Sequence, residues 1–280
     1  MTTPASLMVR LAAGVPNDAL LLFTADLAAR LKVTEVIGIS ARQPVQIYSS
    51  PDMYVPSEFI NWDLEQIDKE LKSAQKAFRS ALEGKVTSVE WRSTVVTYGS
   101  IADYVAEQMR AADFLVMAAE EGGSLFDGTR HVSVADVVMR AGRPVVVVGS
   151  TVEKLDLGNV IVGWKDTREA RRAVEDALPL LLLADRVTIV EVTNEDDIAA
   201  ARARTEDVAD WLARHGIAAA TRVVTAAGRD AQQVGNIAEE LDAGLIVGGA
   251  YGHTRLREWV LGGVTRDLLL RPARCSLVSH

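Results

Sequence analysis

The stretch Gly249-Ala250-Tyr251-Gly252-His253-Thr254-Arg255-Leu256-Arg257-Glu258-Trp259-Val260-Leu261-Gly262-Gly263-Val264-Thr265 holds the residues best suited to chemistry in this chain. Two residues separate Gly249 from Gly252, and nine separate Gly252 from Gly262. Such spacing sets one glycine pair at the end of an apolar strand and another at the start of a helix. Without a Cβ, glycine lets backbone N–H groups approach an anion, and a helix start adds unsatisfied donors and positive dipole potential. Arg255, Arg257 and Arg266 outnumber Glu258, so the stretch is locally basic although the formal net charge is -8. The chemistry this implies is phosphate binding, with His253, Arg255 and Arg257 as lining side chains. The competing interpretation is a tight strand-to-helix connection that needs glycine for geometry alone.

The elements that position this loop alternate along the whole chain. Short β-branched runs alternate with 3.6-period amphipathic segments, which predicts α/β architecture with parallel sheets covered by helices. In the first half, strands are expected at Leu7–Leu11, Val36–Ser40, Val89–Val96, Phe114–Ala118 and Val145–Val148. Between them lie a helix on Leu20, Phe23, Leu27 and Leu31, a long one from Leu64 to Leu82, and two more at Ile101–Ala111 and Val132–Arg140. The second half repeats the order, with strands at Val160–Trp164, Val187–Val192, Ala220–Val224, Leu245–Val247 and Ser276–Val278. Its helices are expected on Ala170–Leu181, Val208–Leu212, Val234–Leu241 and Leu261–Leu270. Phe114 to Ala119 parallels Gly244 to Gly249 at an offset of 130 residues, which indicates a duplication. Two tandem doubly wound, Rossmann-like domains follow, 1–150 and 158–280, with a boundary at Ser150 to Gly158. Asp166 or Thr167 is expected to cap the helix after the second half's first strand.

The glycine spacing resembles the G-x2-G-x9-G-[S/T] pattern of ATP-binding members of the universal stress protein family. The opening Ile161-Val162-Gly163-Trp164-Lys165-Asp166-Thr167 and the closing Arg274-Cys275-Ser276-Leu277-Val278 are similar to that family too, and each half corresponds to one of its domains. The resemblance implies a stress-response regulator that binds an adenine nucleotide, ATP, ADP or AMP, in its C-terminal domain. It assigns Gly163, Trp164, Lys165 and Val192 to the nucleoside, and Gly249, Gly252, His253, Gly262, Gly263, Val264 and Thr265 to the phosphates. Two positions depart from the pattern: Gly263 stands where the family has a hydroxyl, which Thr265 is placed to replace, and Lys165 stands where ATP-binding relatives carry an acid. The first half departs further. Ala119 and Val132 replace the first and third glycines, and Arg130 faces Glu120, Glu121, Asp127 and Asp136, a balance that repels a triphosphate.

Composition narrows the function. The acidic charge and a pI near 5.1 disfavour nucleic acid and anionic membranes as partners. Apolar runs such as Leu180–Ala184 are far below the roughly 20 residues of a membrane span, and the N-terminus has no secretory pattern, so a cytoplasmic protein is expected. The lone Cys275 excludes an intramolecular disulfide, and His131, His215, His253 and His280 lack metal-ligand spacing. No metal cluster and no catalytic constellation are expected. Two other interpretations stay open. One is a ligand-free dimerisation or interaction module in which both sites have decayed. The other is an enzyme of the wider adenine-nucleotide α-hydrolase group, whose pyrophosphatase loop is not apparent after the first strand. The halves are expected to pack as an intramolecular pseudo-dimer, to which a second copy could add as a homodimer.

Overall fold

Strand β1 (Ser6–Arg10) turns Leu7 and Val9 to one face of a sheet and Met8 to the other, an alternation that recurs in every central strand. In the computed structural model, which describes residues 4–45, 56–119, 132–227, 230–250 and 274–280, β1 is followed by α1 (Asp18–Leu31), β2 (Glu35–Arg42), α2 (Ser57–Leu82) and β3 (Ser88–Val95). Helix α3 (Ile101–Gln108), β4 (Phe114–Ala118), α4 (Val134–Ala141) and β5 (Val145–Val148) complete the first half. The second half comprises β6 (Val160–Trp164), α5 (Arg168–Leu181), β7 (Val187–Thr193), α6 (Ile198–Arg214), β8 (Ala219–Thr225), α7 (Asp230–Glu240), β9 (Leu245–Gly249) and β10 (Cys275–Ser279). The helix expected at Leu261–Leu270 lies outside the described residues.

Within each half the strands are all parallel, in the orders β3-β2-β1-β4-β5 and β10-β9-β6-β7-β8. Where two separate five-stranded sheets were expected, the halves join into one ten-stranded sheet through an antiparallel seam that pairs Val148 with Cys275 and Val145 with Val278. The reason is local. Strand β5 is four buried valines, and alone it would be an unprotected apolar edge.

One face of the sheet is covered by α1, α2, α5 and α6 over a single apolar cluster that runs through both halves. The other face carries separate clusters, under α3 and α4 in the first half and under α7 in the second. Cys275 sits in the shared cluster, where burial pushes its thiol up to about 12. This suits a packing residue rather than a nucleophile.

Register corrects the duplication offset. β1 pairs Leu7 with Phe114, β6 pairs Val160 with Leu245, and all four side chains lie in the shared cluster. Phe114 therefore corresponds to Leu245, an offset of 131 rather than 130. An offset of 130 would match Leu115, which faces α3 and α4, to Leu245 in the shared cluster, and Val116 of that cluster to Ile246 on the opposite face. A one-residue slip turns every side chain over. Ala118, not Ala119, is thus the counterpart of Gly249.

Helices α2, α6 and α7 start earlier than expected, at Ser57, Ile198 and Asp230. Helix α6 buries only the small stripe Ala201, Thr205 and Leu212, which large-residue periodicity overlooks. Helix α2 opens with Phe59, Ile60 and Trp62, all exposed, so its first turns have apolar residues but no buried stripe. Helix α4 starts later, at Val134, because Ser133 caps it by accepting from Asp136 N.

Candidate nucleotide site at the carboxyl edge of the second half

β6 and β9 lie side by side at the centre of the second half, where the strand order reverses and doubly wound sheets bind their ligands. Near their carboxyl ends, Gly163 and Gly248 are register partners. Both positions face the α7 side of the sheet. A Cβ built at Gly248 would meet no described atom within 4 Å, and one at Gly163 would find Val247 O at 3.5 Å and Val234 Cγ1 at 3.8 Å. The pair leaves a strip of bare backbone beside the cluster that contains Val192 and Val234. In the first half the equivalent partners are Arg10 and Met117. Met117 is buried and Arg10 partly so, and desolvation lowers the Arg10 guanidinium to about 10. Two large side chains therefore fill in the first half what two glycines leave open in the second.

The residues singled out from sequence separate into three groups. Gly163 and Val192 share the α7 face, with Lys165 at the rim. There Lys165 Nζ reaches Asp230 Oδ2 of α7 at 3.5 Å, an exposed pair. Trp164 and Gly249 belong to the opposite face. The Trp164 indole packs into the cluster under α5 and α6, so the pleat separates it from Val192. Gly249 lies against the first turn of α5, where a Cβ would come within 2.5 Å of Ala170 N and of Glu169 C. Its glycine is demanded by packing, which sequence reasoning attributed to phosphate. Gly252, His253, Gly262, Gly263, Val264 and Thr265 lie outside the described residues.

The start of α5 is capped from within. Thr167 Oγ1 accepts from Ala170 N, and Asp166 binds Arg171 at 2.6 Å. Burial alone would raise the Glu169 carboxyl. Its own backbone N–H, Arg168 and His280 outweigh burial and hold it below the usual carboxylate range. Sequence analysis missed Gly248 and Asp230. Gly248 was detectable, because aligning strands by pleat face pairs it with Gly163; Asp230 depends on how α7 is placed.

The corresponding loop of the first half is closed by the chain itself. Gly14, at φ +78°, rests on the Glu70 carboxylate, where a Cβ would come within 2.6 Å of Cδ. Glu70 Oε2 lies 3.2 Å from Nη1 of the buried Arg42. An ion pair from α2 and β2 thus stands beside the turn that follows β1.

Comparison with known proteins gives the architecture a class. No family model and no curated protein sequence matches the chain, whereas solved structures do. A universal stress protein from Archaeoglobus fulgidus aligns over 99% of this chain and 96% of its own, with a TM-score of 0.73 and 17% identity. A putative universal stress protein from Pseudomonas aeruginosa covers 99% and 93%, with a TM-score of 0.63 and 15% identity. The chain therefore has the fold of the universal stress proteins. It carries that fold twice in one polypeptide, as the strand order of each half displays. Among the described residues, no helix is long and apolar enough to cross a membrane, and no group of three or more His, Cys, Asp and Glu is placed to hold a metal ion.

Proposed function

We propose that this chain is a tandem universal stress protein whose second half binds an adenine nucleotide and whose first half does not. The nucleotide is a regulatory ligand, with slow turnover or none. The observation that carries this is the pair Gly163 and Gly248, open toward α7, set against Arg10 and Met117 at the same two positions of the first half. The locally basic sequence after Gly249 would receive the phosphates, as the resemblance implies. Asp230, paired with Lys165 at the rim, is a carboxylate beside the position where ATP-binding relatives carry their acid.

Calorimetry with ATP, ADP and AMP tests this. Saturable heat with one site per chain is expected, and Gly248→Val should abolish it while leaving the urea midpoint close to wild type, since no described atom occupies that space. Absence of heat at millimolar nucleotide would remove the proposal. Lys165, standing where ATP-binding relatives carry an acid, favours the second reading, an interaction module without ligand. In that case Gly252→Asp changes neither partner binding nor stability, and no nucleotide gives heat.

A further inference from the structure

A cleft of about 520 Å³ opens between α5 and α6, on the face of the sheet opposite Gly163, Gly248 and Val192. That volume falls within the range of small-molecule sites. Trp164 and Trp211 line it with Val174 and Val208, and Arg204 is among its polar residues. Beneath it, Trp164 and Glu191 are register partners on β6 and β7, and the pleat turns both toward the cleft side. Each is more than nine-tenths buried, at 8% and 3% exposure. Each also leaves one polar atom without a hydrogen bond: the Trp164 Nε1 donor and the Glu191 Oε2 acceptor. Glu191 uses only Oε1, which accepts from Arg204 at 2.6 Å, and Arg204 also holds Asp197 at 2.6 Å.

A buried donor and a buried carboxylate oxygen left unsatisfied each lose their hydration with nothing in return. Such groups are retained where something else completes them. The two residues are neighbours on adjacent strands, so the complement is a group that presents an acceptor beside a donor. Val174, Val208 and Trp211 add an apolar surface for a ring, and Asp166, Arg171, Glu175, Asp207 and Arg214 complete the lining with charges of both signs. We propose that the α5–α6 cleft is a second small-molecule site, which takes an uncharged planar compound whose amide or amino-azine edge accepts from Trp164 and donates to Glu191. Arg204, 28% exposed, would shift to admit that edge. The site uses none of the residues on the α7 face, so it stands or falls independently of the nucleotide reading.

The test uses the full chain labelled with ¹⁵N, without nucleotide. Indole N–H resonances are assigned with Trp164→Phe and Trp211→Phe, and nicotinamide is titrated as the probe, with benzoate as the control that lacks a donor. Nicotinamide should move the Trp164 resonance saturably and benzoate should not. Val208→Trp, which fills the cleft from a partly exposed position of α6, should weaken the response at least about tenfold. Circular dichroism confirms that this variant is folded. A Trp164 resonance that stays fixed through millimolar nicotinamide overturns the proposal, as does an equal response in folded Val208→Trp. Retention of the resonance position with only slow solvent exchange would identify a bound water as the complement, and overturns it too.

Discussion

A glycine can be required by what approaches it or by what it leaves empty, and the end of β9 contains one of each. Gly249 touches the backbone of α5, whose Ala170 N and Glu169 C stand where a Cβ would go. Backbone cannot rotate away as a side chain can, so Gly249→Ala should destabilise by about 1–3 kcal/mol, read as a lower urea midpoint. Its neighbour Gly248 faces no described atom within 4 Å and should accept a side chain with little effect on stability. In the first half, the Arg42 and Glu70 pair raises a different residue-scale question. Arg42 is only 5% exposed, so Glu70→Leu leaves a buried charge unmatched and should cost about 3 kcal/mol. Adding Arg42→Met to that variant should recover most of the loss, measured by the same unfolding curve. How far the site was legible in sequence follows from such cases. Gly163 and Val192, which the family resemblance assigned together, share the α7 face. Trp164, which the resemblance grouped with them, faces the other way, because the pleat sends adjacent residues to opposite faces.

At the scale of elements, helix ends show how local sequence and distant contacts combine. Ser100 and Asp103 form a capping box at the start of α3, each side chain accepting from the other's backbone N–H, and Arg140 of α4 binds the same Asp103 carboxylate. The Ser100 hydroxyl, joined by its backbone N–H and Arg140, holds that carboxyl below its usual range against the opposing effect of burial. A lowered folded-state pKa contributes stability that is present above the ordinary aspartate range and is lost as pH falls through the lowered value. The stability gap between wild type and Asp103→Asn should therefore close on acidification below the carboxylate range. Ser100→Ala should cost about 1 kcal/mol at neutral pH, and urea titrations at several pH values check both outcomes. The cap was readable as Ser-x-x-Asp. The Arg140 contact was not, because α4 lies 37 residues further on.

At the scale of the whole molecule, the seam between β5 and β10 makes one body of two repeats. It is reinforced away from the strands: Arg172 of α5 donates to Gly142 O at the end of α4, and Leu155 N donates to Asp26 of α1. Leu155 and Leu157 of the connection are themselves buried in the shared cluster. Cutting the exposed stretch at Glu153 and Lys154 with an introduced protease site should therefore leave the halves together. The nicked protein should elute with the intact chain in gel filtration and separate only under denaturant. The amino-acid sequence by itself determined the alternation of strands and helices, the duplication, the parallel order within each half and the locally basic glycine stretch, because these depend on short-range periodicity and residue type. Tertiary structure alone decided that two sheets become one, that the repeats align at 131, that Gly248 rather than Gly249 opens the slot, and that Trp164 joins Glu191 beneath another cleft. Each of those depends on pleat face and strand register, which link residues far apart in the chain through hydrogen bonds that no local pattern specifies.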